Sequence, residues 1–265
     1  MSDPVLYASE GAIATITLNR DDTRNALSDE VIAALLDALA TAEHDAAIGC
    51  VILTGAGKAF SSGGNLRDIG AMTAEKRMTP LEIEQWYTTG IQRIPLMMEA
   101  LSVPVIAAVN GAAIGAGNDL ATMCDLRIAS RNAVFAESFL KVGIIPGDGG
   151  AWFLPRIIGY ARAAEMLYTA EPIDAEKALA WGLVSRVVEP DALIDEARAL
   201  AAKVAANPPA ALRKGKRIML AAQRMGLEDS LAMAATTQGV LQQMEDHQEA
   251  VNAILEKREA HFRGR

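Results

Sequence analysis

The chain is poor in the residues that build metal centres, disulfide frameworks and nucleophile–histidine pairs. Its 265 residues include two cysteines, Cys50 and Cys124, and three histidines, His44, His247 and His261, scattered over helical-looking segments. No Cys/His spacing forms a ligand set, so no metal is expected. Cys50 falls in an apolar run and Cys124 stands beside Asp125, and both read as reduced, packed thiols. Basic excess is missing as well. With 25 Lys and Arg against 33 Asp and Glu, the net charge is −8, which argues against a nucleic-acid partner. No apolar run approaches the ~20 residues of a membrane span. The start, Met1-Ser2-Asp3-Pro4, lacks a basic and then apolar leader, so a cytoplasmic protein with no membrane partner is expected. Three nucleotide and hydrolase signatures are also absent: G-x-G-x-x-G, G-x-x-x-x-G-K-[ST] and G-x-S-x-G.

What is present is an ordinary globular composition, 51% hydrophobic and 22% charged, with alternating strand and helix signals. Val5–Ala8 and Ile13–Leu18 read as strands around a Glu10-Gly11 turn. Ser28 is a good N-cap for a helix from Asp29 to about Ala42, with Val31, Leu35, Ala38, Leu39 and Ala42 on one face. Cys50–Thr54, Val105–Val109, Leu126–Ala129, Ala133–Ala136 and Val184–Val188 read as further strands. Leu81–Leu101 reads as a helix broken near Gly90 and Pro95, preceded by Ala71–Thr79 as a possible lid. From Gly150 the chain turns mostly helical: Ala161–Thr169, Ala175–Trp181, Asp191–Ala205 and three more segments to His261. Asn207-Pro208-Pro209 is the candidate hinge into the last of these. This order predicts an α/β fold. No internal repeat is visible.

Two glycine-rich turns stand out. Phe60-Ser61-Ser62-Gly63-Gly64-Asn65-Leu66 follows the Cys50 strand, and Asn110 to Leu120 follows the Val105 strand. The second opens a short helix, Ala116–Met123, whose first N–H groups lack internal partners. Brought together, the amides of Gly64 and Ala116 could face one oxygen and stabilise negative charge on it, which implies carbonyl chemistry. The same glycines could equally serve only to relieve crowding. With no histidine near either turn, carboxylates are left for proton transfer. Asp119 lies one helical turn from Ala116, and Glu137 and Asp148 follow. Each has an ordinary alternative: a helix-dipole partner, a solvated strand residue and an Asp-Gly turn former, respectively. Arg20, Arg24 and Arg67 near the loops could meet phosphates, as could the Arg213, Lys214, Lys216, Arg217 cluster, although a charged helix is most often a solvated face. Trp86, Trp152 and Trp181 read as core or interface residues.

These turns resemble those of the enoyl-CoA hydratase/isomerase (crotonase) family. The likeness runs over almost the whole chain, from Leu18-Asn19-Arg20 and Asn25-Ala26-Leu27 to the helical tail, and is densest at Ala59–Leu66, Pro104–Cys124 and Val142–Gly147. It implies a spiral of β-β-α units (residues 1–206) with a C-terminal helical region (207–265). It also implies a homotrimer or dimer of trimers. The partner would be an acyl-CoA thioester, with no cofactor beyond the coenzyme A of the substrate. Gly64 and Ala116 fall at the two amide positions. Arg24, Ala26, Ala59, Ser62, Gly63, Asn65, Leu66, Gly115 and Phe139 fall at substrate-binding positions. Asp119 matches the first of the hydratase's two glutamates, one methylene shorter. The second falls on Phe139, with Glu137 two residues earlier, and Asp148 lies one past an aspartate position occupied here by Gly147. Asp119, with Asp148 or Glu137, is therefore the expected catalytic set. Water addition to a 2-enoyl-CoA, in fatty acid metabolism, is the leading expectation. Double-bond isomerisation by one carboxylate and a non-catalytic acyl-CoA binder are the alternatives.

Overall fold

The structure, a computed structural model, describes residues 3–265. In chain order the elements are β1 (Val5–Glu10), β2 (Ile13–Leu18), α1 (Asp29–His44), β3 (Cys50–Gly55), β4 (Ala59–Ser61), α2 (Leu66–Ala74), α3 (Pro80–Thr89), α4 (Arg93–Ala100), β5 (Val105–Val109), β6 (Ala112–Ile114) and α5 (Ala116–Met123). There follow β7 (Leu126–Ser130), β8 (Val134–Ala136), α6 (Gly150–Ile158), α7 (Tyr160–Thr169), β9 (Ile173–Asp174), α8 (Ala175–Trp181), β10 (Arg186–Val188), α9 (Leu193–Ala205), α10 (Pro209–Ala222), α11 (Leu227–Leu241) and α12 (Glu245–Glu256).

Two sheets lie behind this order. The larger has six strands, β1-β2-β3-β5-β7-β10, and the smaller has four, β4-β6-β8-β9. From β3 to α7, each pass of the chain contributes one strand to the large sheet, one short strand to the small sheet, and then helix; β9 and β10 reverse that order. The sequence shows no repeat because the small-sheet strands β4, β6 and β8 have three residues each, too few to carry alternation. They form by pairing with one another in parallel, Ala59 with Ala112 and Ala112 with Val134. Those pairings stack the two glycine turns side by side.

Several sequence expectations hold. Ser28 accepts the Val31 N–H and caps α1, whose predicted apolar face is buried. The β3 and β5 runs are buried in the sheet centre, as continuous apolar strands of a parallel sheet should be. Others change. The break in the Leu81–Leu101 helix falls at Gly90 only. Pro95 sits in the first turn of α4, where its missing N–H has no partner to lose. Half of the Ala71–Thr79 stretch continues α2, and Thr79 caps α3 in a reciprocal box with Glu82. None of Trp86, Trp152 and Trp181 is fully buried. Trp152 lies under the guanidinium of Arg156, 3.9 Å from its carbon to the ring centroid.

Three of the four cations on the basic face of α10, Arg213, Lys216 and Arg217, reach acceptors on other elements, and Lys214 is exposed. Arg213 donates to the Glu43 carboxylate, to Ser102 Oγ and to the carbonyls of Ala42, Glu43, Asp45 and Ile48, closing the C-terminal end of α1. Lys216 pairs with Asp125 at 2.8 Å. Burial opposes the charge on Glu43, but hydrogen bonds from Ser102 and Val103 and the Arg213 charge outweigh it and hold its carboxyl below the usual range. Replacing the guanidinium by an apolar stem leaves those carbonyls without donors. Arg213→Met is expected to cost about 3 kcal/mol in urea unfolding. A loss under about 0.5 kcal/mol, the size of a surface change, would mean that α10 is not tied to α1 this way.

Candidate active site

The two glycine turns meet. Gly63 has φ +86, and a Cβ built there would run into the Ile114 carbonyl and lie 3.2 Å from Ala116 N. Only a residue without a side chain lets the first turn close on the second. The Leu27 N–H donates to Gly63 O at 2.8 Å, while Asn25, with φ +57, donates to the carbonyls of Ala56 and Ala59 and accepts from the Arg20 N–H. Asn25 thus pins the loop after β2 against β4. Nothing local in the sequence marks Asn25 for this role, and its burial at 0% exposure is a tertiary fact.

Gly64 and Ala116 line one cavity of about 290 Å³. Neither amide donates to a backbone or side-chain acceptor among the described residues. Ala116 is the first residue of α5, after Gly115 at φ 53 and ψ −122, so its N–H is one of the helix's orphan donors. Ser62, Leu66, Gly115 and Phe139 line the same space, as do Tyr87, Ile144 and Asp148. Asn65 and Ala26 line an adjoining polar cavity of about 340 Å³, together with Arg20 and Lys76; Leu27 and Trp86 border both spaces. Arg24 is exposed, and its carbonyl accepts the Ser62 N–H at 2.9 Å. Ala59 is buried, its carbonyl taken by Asn25 and Asn110, so it shapes the turn from behind.

The carboxyls are arranged differently from the sequence expectation. Asp148 reaches the cavity. Asp119 is fully buried directly behind it, against Gly150, where a Cβ would collide with its carboxylate. Glu137 is buried on the far side, accepting from Asn118 Nδ2 at 2.5 Å. Glu137 and Phe139 do not share a side. β8 ends at Ala136 and the chain enters a 3₁₀ turn at Phe139–Val142, so the two-residue repeat of an extended strand no longer applies. Phe139 faces the acyl-sized cavity, and Glu137 faces a second one, of about 120 Å³, with Pro146, Tyr160 and Tyr168. All three acids are buried rather than solvated, although Asp148 does sit in a turn, as its Asp-Gly pair suggested.

Both Asp119 oxygens lack a donor among the described residues. The groups within hydrogen-bond reach are the carboxyls of Asp148 and Glu137, which are acceptors unless protonated. Contact among them therefore requires a shared proton. Burial, then the charges of Glu137 and Asp148, push the Asp119 carboxyl well above its ordinary range. Burial raises Glu137 to about 7 and raises Asp148 as well. Gln92 donates to Gly147 O at 2.7 Å and steadies the loop carrying Asp148. Among the described residues no group of three or more His, Cys, Asp or Glu is placed to hold a metal, and no helix is long and apolar enough to cross a membrane.

A sequence model of the enoyl-CoA hydratase/isomerase family matches residues 8–265. The chain belongs to that family. Among its relatives, this enoyl-CoA hydratase/isomerase family member is 35% identical to the short-chain-enoyl-CoA hydratase of Clostridium acetobutylicum, over 96% of this chain and 95% of that protein. It is 36% identical to the 1,2-epoxyphenylacetyl-CoA isomerase of Escherichia coli, over the full length of both. The fold is the crotonase fold. An enoyl-CoA hydratase structure from Bacillus anthracis superposes with a TM-score of 0.92 at 34% identity, covering 99% of this chain and 100% of that one.

Proposed function

We propose that the protein binds an acyl-CoA thioester, receives the thioester oxygen on the Gly64 and Ala116 amides, and moves protons at the acyl carbons with Asp148 backed by Asp119. The observation that carries this reading is that two free backbone amides and one buried acid line a single cavity. The leading reaction is water addition to a 2-enoyl-CoA. Water oxygen bonds to C3 while its proton passes to Asp148. The double-bond electrons move toward the thioester oxygen, where the two N–H groups hold the developing charge. Asp148 then returns the proton to C2 and the carbonyl re-forms. The shared proton with Asp119 lets Asp148 pass between acid and base without a bare charge in a dry site.

One observation favours a second reading. Asp148 alone of the three acids lines the cavity, and apolar Phe139 lines it too. One carboxyl that takes a proton from one carbon and returns it to another is all that double-bond migration requires. The test is direct: supply crotonyl-CoA and, separately, 3-hexenoyl-CoA, and follow the absorbance of the conjugated thioester. Loss of conjugation with crotonyl-CoA is the expected result. Gain of conjugation with 3-hexenoyl-CoA alone would assign the isomerase. No change with either would leave a thioester-binding protein without this chemistry.

A further inference from the structure

Resting on the thioester-enolate reading above, we infer that Glu137 is a positioning residue that keeps Asp119 in its protonated form, and that it does so from a cavity separate from the one that takes the acyl group. The geometry is a row. Asp148 borders the acyl cavity, Asp119 is enclosed behind it, and Glu137 lies behind Asp119 with one oxygen on Asn118 Nδ2. Its other oxygen, Oε2, is buried without a partner, as are both Asp119 oxygens and Asp148 Oδ1. Asp119 is within hydrogen-bond reach of both Asp148 and Glu137 with no protein donor between them, an arrangement that protons shared among the three carboxyls satisfy.

The middle position decides which group holds a proton most firmly. The charges of both neighbours raise Asp119, whereas hydrogen bonding to Asp119 favours the charged form of Glu137 and of Asp148, with the Asp148 charge opposing it at Glu137. Glu137 also has its own exit. The second cavity is walled by Pro146, Gly150, Ala151, Leu154, Pro155 and residues of α7, and Glu137 belongs to its lining while Asp119 and Asp148 do not. Glu137 is faced by Asn118 and Asp119 from α5, by Asp148 from the loop before α6, and by Tyr160 and Tyr168 from α7. The α6 wall is apolar. On the acyl side, Lys141 and Tyr87 share the cavity with Asp148.

The consequence is a pH signature. A like charge at this range moves a neighbouring carboxyl by about 1–3 pH units. Glu137→Gln keeps the acceptor for Asn118 and the side-chain size but cannot carry the charge. Asp119 then gives up its proton at lower pH, and the alkaline limb of the kcat–pH profile is expected to move down by about one unit or more. Glu137→Asp keeps the charge and should leave that limb near its wild-type place. A Gln variant whose profile is scaled down at every pH, with the limb unmoved, would show a merely structural role and overturn the assignment. Carbon-13 carboxyl NMR on wild-type protein labelled at glutamate gives a second reading that needs no variant. Glu137 should titrate at about 7. Titration in the ordinary carboxylate range would overturn the inference even if both variants failed to fold. Wild-type protein that turns over neither crotonyl-CoA nor 3-hexenoyl-CoA would remove the enolate reading instead, and the NMR titration would still decide whether the three acids share protons.

Discussion

Asp119→Asn is expected to lower turnover by about 10²–10⁴-fold while raising the melting temperature at pH 8. The two effects have one cause. Asparagine fits the space against Gly150 but cannot share a proton with Asp148, so the cavity-facing acid loses the partner that lets it change charge in a dry site. The same substitution removes a buried carboxyl that has no donor. Its folded-state pKa lies above the unfolded value, so its contribution to stability is complete below the ordinary aspartate range and is lost as pH rises toward the raised value. Wild-type protein should therefore lose stability as pH rises above about 4, and the asparagine variant should lose less of it. Replacing the orphaned carboxyl by an amide that can donate to Asp148 or Glu137 relieves about 1–2 kcal/mol, or about 2–5 °C for a chain of this size. Calorimetry at pH 5 and pH 8 measures it. A variant that melts below wild type at pH 8 contradicts the orphaned-acid picture, and unchanged turnover removes Asp119 from the proton path.

The second large effect concerns a hydrogen rather than a side chain. Ala116→Pro deletes one N–H and sets a ring methylene in its place. Ala116 is the first residue of α5, a position where proline is well tolerated because the N–H has no helical partner. Gly115 before it, at φ 53 and ψ −122, can adopt conformations that a preceding side chain would forbid. Folding stability should stay within about 1 kcal/mol of wild type. Turnover should fall at least about 10²–10³-fold, the usual cost of one oxyanion donor, with the ring carbon also standing where the thioester oxygen would sit. Full activity in a folded Ala116→Pro protein would mean that this amide does not meet the thioester oxygen.

Set against the sequence, the site divides by the range of the forces that build it. Gly63, Gly64 and Ala116 were legible because their requirement is local: a backbone that must bend sharply and a helix that must begin. Asp119 was legible as an acid one turn into that helix. The ranking of the acids was not. Asp148 is the turn former its sequence suggested and also the acid at the cavity, while Glu137, two residues before Phe139, lines a different cavity from it. The strand rule failed there because hydrogen bonds within a 3₁₀ turn, Lys141 N–H to Ser138 O among them, replace the ladder after Ala136. Asn25 and Arg213 were missed for the opposite reason. Their partners lie 31 to 34 and up to 171 residues away in the chain, beyond any local pattern.

By itself, then, the amino-acid order determined the alternation of strand and helix, the buried faces, the two turns and the family they resemble, because propensity, periodicity and glycine placement act over a few residues. Only the folded chain decided that three acids would be buried together, which one meets the cavity, and which acceptors the α10 cations reach. Those outcomes depend on desolvation and on contacts between distant segments. Neither exists until parallel pairing of β4, β6 and β8 has stacked the turns.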